Sequence, residues 1–114
     1  MFNLNKLSPV MEVKPVADAE KAVVNHEVDP KINTLSFMQD IVGGYIEIFP
    51  RPFVLGGVEW LIILNEEGTI RGLPLNPIAS ALATEAVGRL TQVCGTVLLV
   101  DNETFQEWDR HVES

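Results

Sequence analysis

Cysteine is almost missing from this sequence, which contains only Cys94. A single cysteine cannot form a disulfide within the chain, and it cannot supply the clustered thiolates that hold structural zinc. The nearest basic residue in the sequence is Arg89, five positions away, so Cys94 lacks the basic neighbours that activate a nucleophilic thiol. We therefore expect a small buried residue at this position and a reducing compartment for the protein.

Basic residues are scarce. The chain has 8 Lys and Arg against 16 Asp and Glu, which gives a formal net charge of −8 at pH 7. Proteins that bind nucleic acid contact the phosphates with clustered Lys and Arg, whereas the basic residues here are scattered, so we expect no direct nucleic-acid binding. An acidic surface favours basic partners instead. It can also imitate a phosphate backbone, although most proteins of this charge are simply soluble.

Long hydrophobic runs are also lacking. The longest apolar stretches, residues 61–64 and 97–100, fall far short of the roughly 20 residues that a helix needs to span a bilayer. The first residues do not show a basic start followed by an apolar run, so the sequence predicts no secretory signal peptide. We therefore expect a cytoplasmic protein that does not bind membranes.

Established catalytic motifs are missing too. The sequence contains no G-x-S-x-G, Walker A, H-E-x-x-H or C-x-x-C pattern. Its two histidines, His26 and His111, do not have a spacing that indicates a metal site. We therefore expect a protein that is not an enzyme and that carries no cofactor or metal.

The residues that are present predict one domain of α+β type. The chain has 114 residues, of which 46% are hydrophobic, and this is enough for one domain with its own core. We assign residues 1–10 to an N-terminal arm and residues 11–114 to the domain. The predicted order is β-β-α-β-β-β-α-β-α. It favours a small mixed, mainly antiparallel sheet of about five to six strands, with two or three helices packed on one side.

The middle of the sequence carries the clearest strand signals. Residues 45–49 alternate between apolar and polar, and residues 58–64 are almost continuously apolar, which predicts a central strand covered on both faces. After that strand, residues 65–68 predict a hairpin loop with Gly68 in a left-handed conformation. Residues 69–72 then return as a short strand.

Three helices are predicted, over residues 35–42, 77–87 and 103–112. Thr34 is expected to cap the first of them, and Asn76 followed by Pro77 is a strong signal for the start of the second. In the third helix, Trp108 belongs to an apolar stripe. That stripe can pack on the sheet of its own chain or on a second copy, so we also expect a possible homo-oligomer.

Acidic residues follow the predicted central strand. Glu66 and Glu67 are adjacent in the loop, and together with Asn65 or Glu47 they offer the oxygen ligands that hard divalent cations prefer. The simpler interpretation is a solvated turn, because exposed carboxylates keep their ordinary chemistry.

Two further features have both a functional and a structural interpretation. Asn76 lies at a predicted helix start, where free N–H groups can bind an anion, although capping alone explains an asparagine there. The aromatic residues Tyr45, Phe49, Trp60 and Trp108 can form a wall for a planar ligand, although sparse aromatics more often belong to a core or an interface.

Three blocks of the sequence carry a resemblance to a known family: I-V-G-G-Y-I-E-I at residues 41–48, N-E-E-G-T-I-R-G-L-P-L-N at 65–76 and C-G-T-V-L-L-V at 94–100. In their order and spacing these blocks resemble a YodL-like family of uncharacterised domains, found in bacteria, phages and mobile elements. The resemblance covers roughly residues 11–100. The family often has a basic residue after the asparagine that matches Asn76, and this chain has Pro77 there.

The resemblance implies a shared polar site but no catalytic mechanism. The residues that match the polar motif positions of the family are Tyr45, Glu47, Asn65, Glu66, Glu67 and Asn76. The occurrence of such domains in phages and mobile elements implies a regulator of a host or defence system, an inference by association.

The preferred hypothesis is therefore a non-catalytic acidic protein, encoded by a phage or mobile element, that inhibits or modulates a host protein by direct binding. That host protein is expected in the host cytoplasm and can be a defence component. A second hypothesis is a protein that binds a small molecule or sequesters a nucleotide signal. The aromatic residues Tyr45 and Trp60 and the helix start at Asn76 support this hypothesis. A third is a carboxylate- and metal-dependent hydrolase using Glu47, Glu66 and Glu67.

Overall fold

A computed structural model describes residues 8–113, and the side chains of residues 9–109. Its six strands are β1 (Ser8–Val13), β2 (Val23–Val28), β3 (Ile46–Ile48), β4 (Phe53–Leu55), β5 (Val58–Asn65) and β6 (Val97–Asp101). They form one sheet in the order β2-β1-β6-β5-β3, with β4 pairing beside β3 on the same edge of β5. Every pairing is antiparallel, which confirms the predicted α+β class with a mainly antiparallel sheet.

Four helices are described: α1 (Ala19–Ala22), α2 (Thr34–Val42), α3 (Pro77–Val87) and α4 (Asn102–Glu113). The single turn of α1 connects β1 to β2, and the Asp18 side chain accepts a hydrogen bond from the Glu20 N–H. The predicted cap of α2 was wrong by one residue. Asn33 Oδ1 accepts from the Ser36 N–H at 3.0 Å, while Thr34 is the first helical residue.

The helices cover both faces of the sheet, not one side as expected. On the face that we call the α3 face, α3 packs against Val13, Phe53, Ile62, Val97 and Leu99. On the opposite face, the α2–α4 face, α2 and α4 pack against Val10, Ile63, Leu98 and Val100. Because β5 and β6 carry apolar side chains on both faces, both faces must be covered. The predicted central strand, covered on both faces, is therefore confirmed. It requires helices on both sides of the sheet, which the one-sided arrangement predicted for the helices did not take into account.

The N-terminal boundary differs from the prediction in detail. β1 begins at Ser8, so the last three residues of the predicted arm, residues 8–10, belong to the sheet, while residues 1–7 lie outside the described residues. β4 was missed because Pro50 and Pro52 precede it and two glycines follow it. Those glycines, Gly56 (φ 59°) and Gly57 (φ 77°), form the two-residue turn between β4 and β5, a turn that requires positive φ at both positions.

The predicted return strand over residues 69–72 was wrong. This segment is a series of turns closed by its own backbone, in which the Arg71 N–H donates to Glu67 O at 2.8 Å and the Leu73 N–H to Gly68 O at 3.0 Å. Gly68 does not have the predicted left-handed conformation; the left-handed residue here is Gly72, with φ 68°. Gly68 is required for another reason, since a Cβ there would lie 2.8 Å from the carbonyl oxygen of Cys94.

The terminal helix packs on the sheet of its own chain. Trp108 is 1% exposed and lies in the core of the α2–α4 face, where its ring meets Phe37 edge to face with ring centroids 6.5 Å apart. None of the described helices combines the length and the apolar character that a membrane crossing needs.

Candidate functional site

The pairing of β3 with β5 brings together four of the six predicted site residues. In this pairing Glu47 lies opposite Leu64. The Glu66 N–H donates to the Tyr45 carbonyl at 2.9 Å, so Glu66 lies opposite Tyr45 at the end of the ladder. Glu67 is the next residue. We call these four residues, Tyr45, Glu47, Glu66 and Glu67, the rim. All four side chains are exposed, and that of Tyr45 is 70% exposed.

Asn65, the fifth predicted residue, lies beneath the rim and holds its backbone. Its side chain is buried at the end of β5. Nδ2 donates to the Val42 carbonyl at 3.1 Å, and Oδ1 accepts from the Glu67 N–H at 2.7 Å. One amide therefore joins the last turn of α2 to the loop that presents Glu66 and Glu67, and it supports the rim without facing solvent.

Asn76, the sixth predicted residue, lies elsewhere. Its side chain is 0% exposed and caps α3, since Oδ1 accepts from the Ala79 N–H at 3.0 Å. Nδ2 donates to the carbonyls of Val13 and Gly95, both at 2.9 Å. The amide is fully used by the backbone of three separate segments, and we do not include Asn76 in the site.

Two shallow clefts flank the rim. The first, of about 230 Å³, lies on the α3 face with Glu47 and Glu66 in its lining, and Cys94 lines it too. The second, of about 440 Å³, is lined by the C-terminal end of α2 together with Tyr45, Glu67 and Arg71. The rim therefore separates two solvent-accessible hollows, each of which contains at least one of its carboxylates.

Two residues of the second cleft were missed in the sequence, Asp40 and Arg71. The exposed side chain of Arg71 donates from Nη1 to the Gly43 carbonyl at 3.2 Å, which ties the loop after β5 to the end of α2. The available signal was its position, since Arg71 is the only basic residue in the block of residues 65–76.

The carboxylates of the rim form no ion pair within residues 9–109, although Arg71 lines the same cleft as Glu67. Among the described side chains, the contact found at ion-pair distance is the hydrogen bond between His26 Nε2 and Glu12 Oε1 at 2.8 Å, on β2 and β1 at the other end of the sheet. Glu47, Glu66 and Glu67 make no such pair within that part of the chain. In residues 9–109 no three His, Cys, Asp or Glu side chains lie close enough together to hold a metal ion.

The four aromatic residues do not form one wall. Trp108 is buried on the α2–α4 face, and Tyr45 stands at the rim. Phe49 and Trp60 belong to the α3 face. Trp60 lines a third hollow of about 490 Å³ at the other end of that face, which we call the Trp60 trough; Pro9, Met11, Asn25 and Glu27 line it as well.

The chain matches the model of a known protein family. The family described as Domain of unknown function (DUF3846) matches residues 11–110, which is most of the chain. No curated protein and no solved structure matches the chain.

Proposed function

The chain belongs to a domain family of unknown function, DUF3846, and from the properties of its own surface we propose that it is a non-catalytic binding protein whose acidic rim docks on a basic surface of another protein. Binding there modulates the activity of that partner.

One observation carries this proposal: Glu47, Glu66 and Glu67 are all exposed at the rim and none of them forms an ion pair within residues 9–109, although Arg71 lines the same cleft as Glu67. Neighbouring carboxylates repel one another, and a net charge of −8 adds to that repulsion. A basic partner relieves the repulsion on binding and is attracted from a distance, which raises the association rate. The exposed ring of Tyr45 adds apolar contact area of the kind that anchors protein interfaces.

The nature of the partner rests on the resemblance to YodL-like domains of phages and mobile elements. It supports a partner in the host cell, such as a defence component, that the protein inhibits in the host cytoplasm. This part of the proposal is an inference by association, whereas the docking part is supported by the exposed acids of the chain itself.

The test compares two pairs of substitutions that remove the same charge. Glu66→Gln with Glu67→Gln neutralises two of the three acids of the rim, and Glu103→Gln with Glu107→Gln neutralises two exposed acids on α4. The partner is captured from host lysate with the unaltered chain, identified, and its affinity measured. We expect the rim pair to weaken binding about tenfold, the equivalent of about 1.4 kcal/mol, and the α4 pair to leave it almost unchanged. Equal weakening by both pairs would contradict a rim-specific interaction.

The Trp60 trough supports a second candidate function, the binding of a small planar ligand such as a nucleotide. It combines an aromatic ring with the amide of Asn25 and the carboxylate of Glu27, and its volume falls in the range of small-molecule sites. A thermal-shift panel of nucleotides tests it. A ligand present at 100 times its dissociation constant stabilises the fold by about 2.7 kcal/mol, and Trp60→Ala should abolish that shift. If no nucleotide raises the melting temperature, this candidate is excluded for that panel.

A further inference from the structure

The strand β3 has one edge that pairs with β5 and one edge that is open. The Phe49 N–H donates to Ile62 O at 2.8 Å and the Glu66 N–H donates to Tyr45 O at 2.9 Å. In an antiparallel pair, hydrogen-bonded positions alternate, so Tyr45, Glu47 and Phe49 direct their peptide groups toward β5. Ile46 and Ile48, which lie between them, direct theirs to the opposite edge.

The outward groups of Ile46 and Ile48 are not used within the described chain. β3 is the last strand in the sheet order on its side, and no backbone or side-chain group of the described residues hydrogen-bonds with either peptide unit. Two N–H and two C=O groups therefore face outward. An open edge of this kind is a ready template for another strand.

The side chains of β3 define what such a strand must look like. Successive residues point to opposite faces, so Ile46 and Ile48 lie on the α2–α4 face, where Ile46 packs against the core and Ile48 is 41% exposed. Glu47 lies on the α3 face, beside the cleft that Glu66 also lines. A strand added to this edge would meet the aliphatic side chains of Ile46 and Ile48 on one face and the carboxylate of Glu47 on the other.

We propose that β3 receives an extended segment of the partner protein as an additional strand, and that this segment alternates basic and aliphatic residues. The inference rests on the proposed acidic docking function and specifies how the partner engages it. Main-chain hydrogen bonds to Ile46 and Ile48 supply affinity, as in other cases of strand addition. Basic residues next to Glu47 and aliphatic residues next to Ile48 supply selectivity.

The other open edge, that of β2, is the natural alternative and provides the control. The Lys14 N–H donates to Ala22 O, which places Val23, Asn25 and Glu27 outward on β2 by the same alternation. The outward N–H of Val23 is already used, since it donates to Ala19 O. Each edge strand carries one acid, Glu27 on β2 and Glu47 on β3, but the cleft beside Glu47 also contains Glu66, whereas Glu27 is the one acid that lines the Trp60 trough. Charge complementarity with a basic segment therefore favours β3.

The experiment uses a synthetic peptide of about eight residues, an ordinary strand length, that alternates Lys and Val; a peptide that alternates Glu and Val is the control. Ile48→Pro removes the outward N–H and leaves the ladder to β5 intact, because proline is tolerated where a strand N–H faces solvent. Asn25→Pro makes the same change at the β2 edge. Affinities are measured by calorimetry, and amide hydrogen exchange is followed in the unaltered chain with and without peptide.

We expect the Lys/Val peptide to bind the unaltered chain and Asn25→Pro equally, Ile48→Pro about tenfold more weakly, and the Glu/Val peptide not to bind. Exchange of the Ile46 and Ile48 amides should slow by about tenfold when the Lys/Val peptide is added. This measurement decides the matter even if Ile48→Pro does not fold.

The outcomes separate the two proposals. In one outcome, the peptide binds, the double change Glu66→Gln and Glu67→Gln abolishes binding, and hydrogen exchange at Ile46 and Ile48 stays unchanged. That result would overturn strand addition and preserve acidic docking. Slower exchange at Asn25 and Glu27 instead would assign the strand to β2 and overturn the proposal for β3. Absence of any binding by the Lys/Val peptide would count against both.

Discussion

Two buried asparagines show how single side chains hold distant segments of this chain together. Asn65 joins β5 to the end of α2 and to the loop that follows, and Asn76 joins α3 to β1 and to the segment before β6. In each case both ends of the amide are hydrogen-bonded to backbone groups. A buried carbonyl or N–H without a partner is costly, so each amide removes several such penalties at once.

The first prediction concerns Asn76. Asn76→Ala should lower the free energy of unfolding by about 3 kcal/mol, because it removes the cap of α3 and leaves the buried carbonyls of Val13 and Gly95 without their donor. The matched control is Asn33→Ala, which removes an exposed cap with a single hydrogen bond and should lower it by about 1 kcal/mol. Urea unfolding measures both. Equal losses would show that the two buried carbonyls do not depend on Asn76.

The second prediction concerns Gly68. Gly68→Ala should destabilise the fold by about 1–3 kcal/mol, because its Cβ would meet the Cys94 carbonyl at 2.8 Å and the loop must shift. Thr69→Ala, at the exposed neighbouring position, should change stability by less than about 0.5 kcal/mol. Melting temperatures of both variants test this prediction. If Gly68→Ala leaves the melting temperature unchanged, the loop can shift to accommodate the Cβ without loss of stability.

At this scale the sequence predicted that the rim residues lie close together, but it did not predict the burial of the two asparagines. The alternation of residues 45–49 and the apolar run after Gly57 implied neighbouring strands, and those strands do place Tyr45 and Glu47 beside Glu66. A polar residue in a shared motif can contact a ligand at the surface, or it can hydrogen-bond buried backbone groups. The sequence pattern is the same in both cases. Only the burial of Asn65 and Asn76 separates the two roles, and burial depends on the tertiary fold.

At the scale of elements, regular segments were predictable and short ones were not. β5, α3 and α4 have strong apolar patterns or caps, and their predicted limits differ from the structure by a residue or less. β4 has three residues between prolines and glycines, so its pairing with β5 determines it more than its own propensity does. The return strand was predicted wrongly because Gly68 after two acids was interpreted as the glycine of a hairpin loop. A glycine is needed there because the backbone lies close to the Cys94 carbonyl.

The third prediction belongs to α4. Trp108→Ala should lower the free energy of unfolding by about 3–5 kcal/mol, since it empties a large volume between α4, Phe37 and the sheet. Glu107→Ala, one position earlier and exposed on the same helix, should have an effect below about 0.5 kcal/mol. Chemical denaturation of both variants distinguishes the packing of the tryptophan from the helix propensity of its neighbours.

At the scale of the whole molecule, the last strand in the sequence occupies the middle of the sheet. β6 lies between β1 and β5 and contributes side chains to the cores of both faces. The hairpin of β1 and β2 can form early, but neither core can close until residues 97–101 are in place. Long-range pairing of this kind must overcome the entropy of closing a long loop.

The fourth prediction follows from this topology. A fragment of residues 1–94 lacks β6 and α4 and should not show a cooperative thermal transition or a dispersed amide spectrum, whereas the full chain should show both. Circular dichroism and a proton–nitrogen correlation spectrum provide the measurement. A folded fragment would mean that β1 and β5 can pair without the strand between them.

The loop after β5 keeps its own shape by means that leave its side chains free to change. The Asn65 amide and the close contact of Gly68 fix its course, while Glu66, Glu67, Thr69 and Ile70 are exposed. Selection can therefore replace these four side chains at little cost in stability, much as antibody loops vary on a constant framework. Relatives that bind different partners should therefore differ first at these four positions. They should keep Asn65, which precedes the four residues, and Gly68, which lies between Glu67 and Thr69.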